Sequence, residues 1–373
     1  MRTVPFSELE LLLLAARLHF DESQSERISA VLARGIDWSG VESLANRHGL
    51  LPLVLRTLLA LDSPKIPPHA LAKSRSLCEA NRVHNLILVG ELLRALRALE
   101  SAGVTAVPYK GPALAQYLLG DFTLRQASDI DLLVKPSDAR KACHILIEQG
   151  FVSARRVPAL AQAAYVRLHC VFTFGRLGHP FFLDLNWRVA PVYWGLPDIL
   201  DSAWTRLRTV SVAGLDAHWF APEDLLVLLC VHGCKHKWGT MKWIVDVAEL
   251  LRRHPDLDWQ GLLRNARLSG ATRMLFLGLY IANDLFEAPL PSEVLDSVRR
   301  NPVIDALAAE VYKDLFVLQT DPIDASTTLR FLVRATERWS GKLCCTALIP
   351  AYFLLNRVVR PGMASLSGER ATN

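Results

Sequence analysis

The sequence predicts an α+β chain, with a small mixed sheet set between an N-terminal and a C-terminal helical region. Three observations carry this. Residues 1–100 and 221–361 repeat apolar positions at helical spacing, whereas β-favouring runs crowd between 101 and 220. Glycine and proline punctuate that middle stretch at strand–turn–helix intervals. The chain has 373 residues, 51% hydrophobic and 21% charged, enough to bury a core and to hold two or three domains or subdomains.

Region 1–100 reads as helices. Ser7 with Glu10 has the spacing of a capping box. Asp37-Trp38 opens a helix through Val41, Leu44 and Ala45, and Pro52 and the stretch from Pro64 to Pro68 break the pattern. A long helix is expected over about 70–99, with Leu86, Val89, Leu93, Leu96 and Leu99 apolar and Ser101-Ala102-Gly103 as its stop. Region 101–220 begins with a short strand at 104–107, the turn Lys110-Gly111-Pro112 and a helix to Leu119, with Gly120 just past its end. Strands follow at 129–134, near 171–174 and near 181–187, with a helix from Pro136-Ser137-Asp138 to Gln149 between the first two. Region 221–361 opens on Pro222-Glu223-Asp224, proline first and acids in the first turn, and runs to His232. A second helix covers about 242–253. The apolar stretch 343–359 contains Pro350, Asn356 and Arg357, so it lacks the roughly 18–20 clean apolar residues of a membrane span and reads as a buried helix, with membrane-surface contact as the lesser reading. Residues 362–373 are expected to form a flexible tail.

The net charge of +5 suits an anionic substrate without demanding one. Seven scattered cysteines with no CxxC pair argue against a disulfide framework, and the chain is expected in a reducing, cytoplasmic setting. The apolar run Leu11–Leu14 is too short for a secretory signal, and Glu8 and Glu10 spoil a basic lead, so it is expected to be a first buried helix.

The chemistry-bearing residues are acids. In a strand over 129–134, Asp129 and Asp131 share one face, roughly 7 Å apart along it, while Ile130, Leu132 and Val134 face a core. Two carboxylates so placed repel unless a cation sits between them, and Mg²⁺ (or Mn²⁺) suits carboxylate and phosphate oxygens. Asp184, in the apolar run Phe181-Phe-Leu-Asp-Leu-Asn-Trp187, is costly there unless it faces a cleft or an ion. If its strand pairs beside the first, three carboxylates converge. A lone Asp-x-Asp is more often a turn, cap or solvated face; the strand setting and Asp184 are what lift this one above that. Lys110-Gly111 lies where a helix begins, a place that favours anions, although no GxxxxGK[ST] loop is present. Arg125 has two readings, a phosphate ligand or a surface ion pair.

Together these residues resemble the DNA polymerase β-type nucleotidyltransferase superfamily, and more specifically the bacterial family known as uncharacterised nucleotidyltransferases. The resemblance runs over nearly the whole chain: Asp37-Trp38, Arg47-His48-Gly49, Lys110-Gly111-Pro112, Arg125 to Val134, Leu183 to Trp187, Pro222-Glu223-Asp224, His232-Gly233, Lys235 to Trp238, Lys242-Trp243, Asp246 and Arg360-Pro361. It implies an enzyme that transfers a nucleoside monophosphate from an NTP such as ATP, releasing pyrophosphate. Asp129, Asp131 and Asp184 would be the catalytic and metal-binding acids. Lys110 and Gly111 would hold the triphosphate; read from the residues themselves, Arg125, Ser128 and Lys237 complete the expected nucleotide-binding set. Two departures stand out: Lys110-Gly111-Pro112 replaces the usual Gly-Ser turn, and Asn186 stands where the family prefers histidine, which puts a role for that side chain in doubt.

His232 and His236 share a helix face, a spacing that also suits zinc with Cys234, although Gly233 replaces the glutamate of a metalloprotease motif. Helix packing is the alternative. Lys235 or Lys237 is the phosphate contact by this reading, Trp238 or Trp243 the pocket wall or a core tryptophan, and Asp246 a partner for one of the bases. Rival functions are a toxin-like transferase acting on RNA or protein, disfavoured because no basic stripe with interleaved aromatics is evident, and a non-catalytic nucleotide-binding protein. The acceptor (small molecule, peptide or sugar-like) and the oligomeric state are not encoded legibly.

Overall fold

The computed structural model describes residues 6–194, 196, 200–316, 325–339, 341, 343 and 360–361. The N-terminal helices are α1 (Phe6–Ala15), α2 (Glu22–Leu32), α3 (Trp38–Arg47), α4 (Leu51–Leu61) and α5 (Pro68–Ser101). Asp21 and Gln24 cap α2 reciprocally, and the Asp37 side chain accepts from the Ser39 N–H at the start of α3. The expected Ser7–Glu10 box does not form a cap, because α1 already contains Phe6 and Ser7 lies inside the helix. The 34 residues of α5 extend about 50 Å at the usual rise. Its buried side, including Asn85, Leu88, Leu92, Ala95 and Leu99, packs toward the sheet, while Val83 and Leu86 stay exposed.

The middle region holds β1 (Ala106–Pro108), α6 (Gly111–Leu119), β2 (Asp129–Val134), α7 (Ala139–Glu148), β3 (Val152–Ser153), β4 (Arg155–Arg156), α8 (Ala159–Leu168), β5 (Val171–Arg176) and β6 (His179–Asn186). The main sheet has the order β1-β2-β6-β5-β3. β2 and β6 run parallel, and the other pairs are antiparallel, so the sheet is mixed as expected. Short β4 pairs with β9 (Arg360–Pro361). A hairpin that the sequence reading did not anticipate, β7 (Arg208–Val212) and β8 (Leu215–Trp219), follows the sheet. Its turn residues Ala213 and Gly214 both have positive φ, +47° and +83°, the backbone of a tight two-residue hairpin turn, but Ala213 lacks the Asn or Asp that usually announces one.

Seven helices complete the described chain: α9 (Pro222–Lys235), α10 (Met241–Arg253), α11 (Trp259–Ser269), α12 (Thr272–Phe286), α13 (Ser292–Arg299), α14 (Pro302–Leu315) and α15 (Ala325–Ala335). The three regions share one continuous apolar core that runs from Leu11 to Ala335. Arg17 reaches Glu287 at 2.9 Å, and the Leu18 N–H donates to Glu249, so the first and last helical regions are joined directly. Among the described residues no helix is long and apolar enough to cross a membrane. The helix expected over 343–359, Leu343 apart, and the tail 362–373 lie outside the described residues.

Candidate active site

The parallel pairing of β2 with β6 sets Asp131 directly beside Asp184 in register, and Asp129 beside Phe182. Side chains of paired residues point to the same face. Asp129, Asp131 and Asp184 therefore occupy one face, while Ile130, Leu132, Leu183 and Leu185 are buried on the other. Asp129 is half-buried, Asp131 is 5% exposed, and one oxygen of Asp184, Oδ1, is buried with no hydrogen-bond partner. Asn186, two residues beyond Asp184 on the same face, donates its amide to Asp131 Oδ1 at 3.4 Å and to the Asp184 carbonyl at 3.1 Å. The Asn186 amide thus touches the acid pair.

Lys110 ends the segment after β1 and caps α6 by its backbone. Its ammonium lies 2.9 Å from Asp131 Oδ1, 3.3 Å from His232 Nδ1 and 4.8 Å from the centre of the Tyr109 ring. Gly111 has φ +65°, and a Cβ there would stand 2.9 Å from the Asp129 carbonyl oxygen. Only glycine lets the helix start come this close to the acid strand. No side chain caps α6, and Pro112 stands in its first turn, so the first N–H groups of the helix remain available beside the acids.

Burial pushes the Asp131 carboxyl above its ordinary range, opposed by the Lys110 ammonium, with the Asp129 charge adding to the rise. Asp184 is raised to about 6, first by burial and then by the Asp131 charge. These are crowded carboxylates that would gain from a cation.

The segment entering β2 is clamped from three helices. Asn81 on α5 donates to the Thr123 carbonyl, and Asn85 on α5 donates to the carbonyls of Phe122 and Arg125 at 2.7 and 2.8 Å. Gln126 donates to Asn46 on α3 and accepts, through its carbonyl, from Lys242 on α10. Arg125 forms a buried two-point pair with Asp246 on α10, both contacts 2.8 Å. That corrects both readings of Arg125: the guanidinium is neither a surface ion pair nor free for phosphate, because its fork is filled by a carboxylate inside the protein. Ser128 is exposed at the rim just before Asp129.

The block after α9 divides. Lys237 turns away to Asp314 on α14, at 2.8 Å, and stands 5.9 Å from the Phe331 ring; its φ of +50° belongs to the turn that ends α9. It is a structural ion pair and not the expected nucleotide contact. The neighbouring Lys235 is the basic residue whose charge reaches Asp131. Trp238 is wholly buried, and its ring fills the space that a Cβ on Gly233 would need, so it is core and not pocket wall. Cys234 is buried and points its thiol at the Met274 carbonyl, off the face shared by His232 and His236. His232, His236 and Trp243 cluster, with ring centroids 4.8 to 5.2 Å apart, beside Lys110. Lys242, half-buried, is lowered to about 8 by burial and by Arg125, with Asp129 opposing. Sequence reasoning gave no role to Asn186, Tyr109 or Lys242; only the three-dimensional pairing reveals their proximity.

Among the described residues no three His, Cys, Asp or Glu side chains form a ready-made metal cage. Mg²⁺ does not require one, since it is typically held by one or two carboxylates with waters and substrate phosphates. The unpartnered Asp184 oxygen and the crowding of Asp131 and Asp184 fit such an ion.

The family model described as uncharacterised nucleotidyltransferase matches residues 34–287, well over half of the chain. Among solved structures the chain is similar to an antigenic nucleotidyltransferase-like protein from Paracoccidioides brasiliensis, at 15% identity and a TM-score of 0.33, covering 57% of this chain and 96% of that one. No curated protein matches the chain.

Proposed function

We propose that the chain, which belongs to the family of uncharacterised nucleotidyltransferases, moves a nucleoside monophosphate from an NTP to a small-molecule, peptide or sugar-like acceptor. The observation that carries this reading is the in-register pair Asp131–Asp184 with Lys110 and an uncapped helix start beside it. Asp129, Asp131 and Asp184 would hold Mg²⁺ or Mn²⁺, which supplies charge neutralisation at the transferred phosphoryl group. Lys110 and the first N–H groups of α6 receive the anionic phosphates, and Gly111 keeps that helix start against Asp129. Asn186 holds Asp131 in orientation. The acceptor group would give up its proton to solvent and bond to the α-phosphorus, the bond to the bridging oxygen would break, and pyrophosphate would leave with the electron pair of that bond. The scattered cysteines support a reducing, cytoplasmic setting for this chemistry.

The test supplies each labelled NTP with Mg²⁺ or Mn²⁺ and a cell extract. Wild type is expected to transfer label, and Asp129→Ala, Asp131→Asn and Asp184→Asn to lose transfer while remaining folded by circular dichroism. Transfer by Asp129→Ala equal to wild type, or no NTP bound by wild type, sinks the reading. Tight NTP binding with no transfer in any extract would favour the non-catalytic alternative.

A further inference from the structure

The acids and Lys110 leave three rings beside them without an assigned task. His232 is buried, and its Nδ1 faces the Lys110 ammonium at 3.3 Å. An ammonium only donates, so Nδ1 accepts and the ring proton sits on Nε2. On its other sides His232 meets His236 at 4.8 Å and Trp243 at 5.2 Å, the latter edge-on at 84°. One imidazole therefore separates the phosphate-side cation from two further rings. Those two differ from a core pair. His236 is exposed and Trp243 is half-buried, whereas Trp238, five residues before Trp243, is fully enclosed. The two rings lie 5.2 Å apart and are inclined at 37°, and Lys235 and Lys242 are their chain neighbours. A cation at one end and accessible rings at the other match a ligand that is anionic at one end and flat at the other.

We propose that His236 and Trp243 form the subsite that stacks the nucleobase of the bound NTP, with His232 linking it to Lys110 at the phosphate end. This rests on the nucleotidyl-transfer reading above and adds to it the group that the rings receive. A nucleobase is a planar, uncharged heteroaromatic that stacks on indole or imidazole at little desolvation cost, and every base offers such a face. The subsite therefore takes all four bases, with the wider purines held more tightly. An acceptor without a flat aromatic group gains nothing from these rings.

The experiment is calorimetric titration of wild type, Trp243→Leu, His236→Ala and Trp243→Phe with each of the four NTPs and with inorganic tripolyphosphate, all in Mg²⁺. Trp243→Leu and His236→Ala should each weaken NTP binding about tenfold, the scale of one lost base–ring stack. Tripolyphosphate binding should not change, and Trp243→Phe should stay near wild type. His236 is exposed, so its alanine variant serves even if Trp243→Leu fails to fold. Unchanged NTP affinity in the folded variants overturns the proposal. So does a parallel loss of tripolyphosphate affinity, which would make the rings a mere support for Lys110. Retained NTP affinity with a loss confined to acceptor-dependent turnover would assign the rings to the acceptor instead. Wild type binding NTPs no better than tripolyphosphate overturns the base subsite and leaves the phosphate site standing. Wild type binding neither removes the nucleotidyl-transfer reading itself.

Discussion

Gly111 and the Arg125–Asp246 pair show what single residues do around the acids. Alanine at 111 would combine a left-handed backbone with a 2.9 Å approach to the Asp129 carbonyl. Gly111→Ala should cost about 1–3 kcal/mol of stability by urea denaturation and should reduce label transfer, because relief of the clash moves the helix start off β2. Arg125 and Asp246 are nearly fully buried and satisfy each other at two points. Arg125→Met should therefore cost about 3–5 kcal/mol, since it strands a buried carboxylate. The double substitution Arg125→Met with Asp246→Leu should cost clearly less than the two single changes summed; additive losses in the four-member denaturation cycle would refute the pairing. At this scale the shared face of the three acids was legible in the sequence. Alternation along an apolar strand leaves Asp129, Asp131 and Asp184 no comfortable place except a shared polar face. It did not reveal Arg125, because an arginine four residues before an acid reads the same whether it grips phosphate or a carboxylate 121 residues away.

The element that carries the site is the segment 121–128, which has no regular structure of its own and takes its path from helices on either side. Asn85 contributes most, with two bonds to backbone carbonyls from one buried amide. Asn85→Ala should cost about 1–3 kcal/mol, the range for leaving buried polar groups unsatisfied. Amide hydrogen exchange should accelerate in 121–128 more than within β2; equal acceleration in both would mean that the segment is not separately tethered. The bounds of β2 and the start of α10 were legible to within a residue, because strict alternation and helical periodicity mark them. The neighbour of β2 was not legible. Alternation tells which way a side chain points but not which strand lies alongside, so the sequence does not specify the parallel match of Asp131 with Asp184. The β7–β8 hairpin escaped because alanine stands where its turn calls for a left-handed backbone.

Across the whole molecule, buried histidines link folding to pH. His48 is fully buried and is held down at about 4, first by burial and then by the Arg47 charge. His169 is likewise lowered to about 4, mainly by burial. The unfolded chain takes up these protons near pH 6.5 and the folded chain only near 4. The stability these two histidines contribute is therefore fully present above about 6.5 and is lost as the pH falls toward 4, with His48 accounting for about 3 kcal/mol. Denaturation curves across that window should be flatter for His48→Gln than for wild type; an equal slope would remove His48 from the account. The order helices–sheet–helices was legible from composition and periodicity. The sharing of one core was not, because sequence distance hides that α1 meets α12 and that the end of α3 meets the start of α10. That sharing also sets a timetable. His232 and Asp246 follow Lys110 and Arg125 by 122 and 121 residues. A chain emerging from the ribosome completes the strand pairs of the acids well before α9 and α10 exist to seat the lysine and the arginine. An unfinished chain thus carries all three carboxylates before the partners of Lys110 and Arg125 have been made, and the surroundings of the acids are completed only once α9 and α10 have followed.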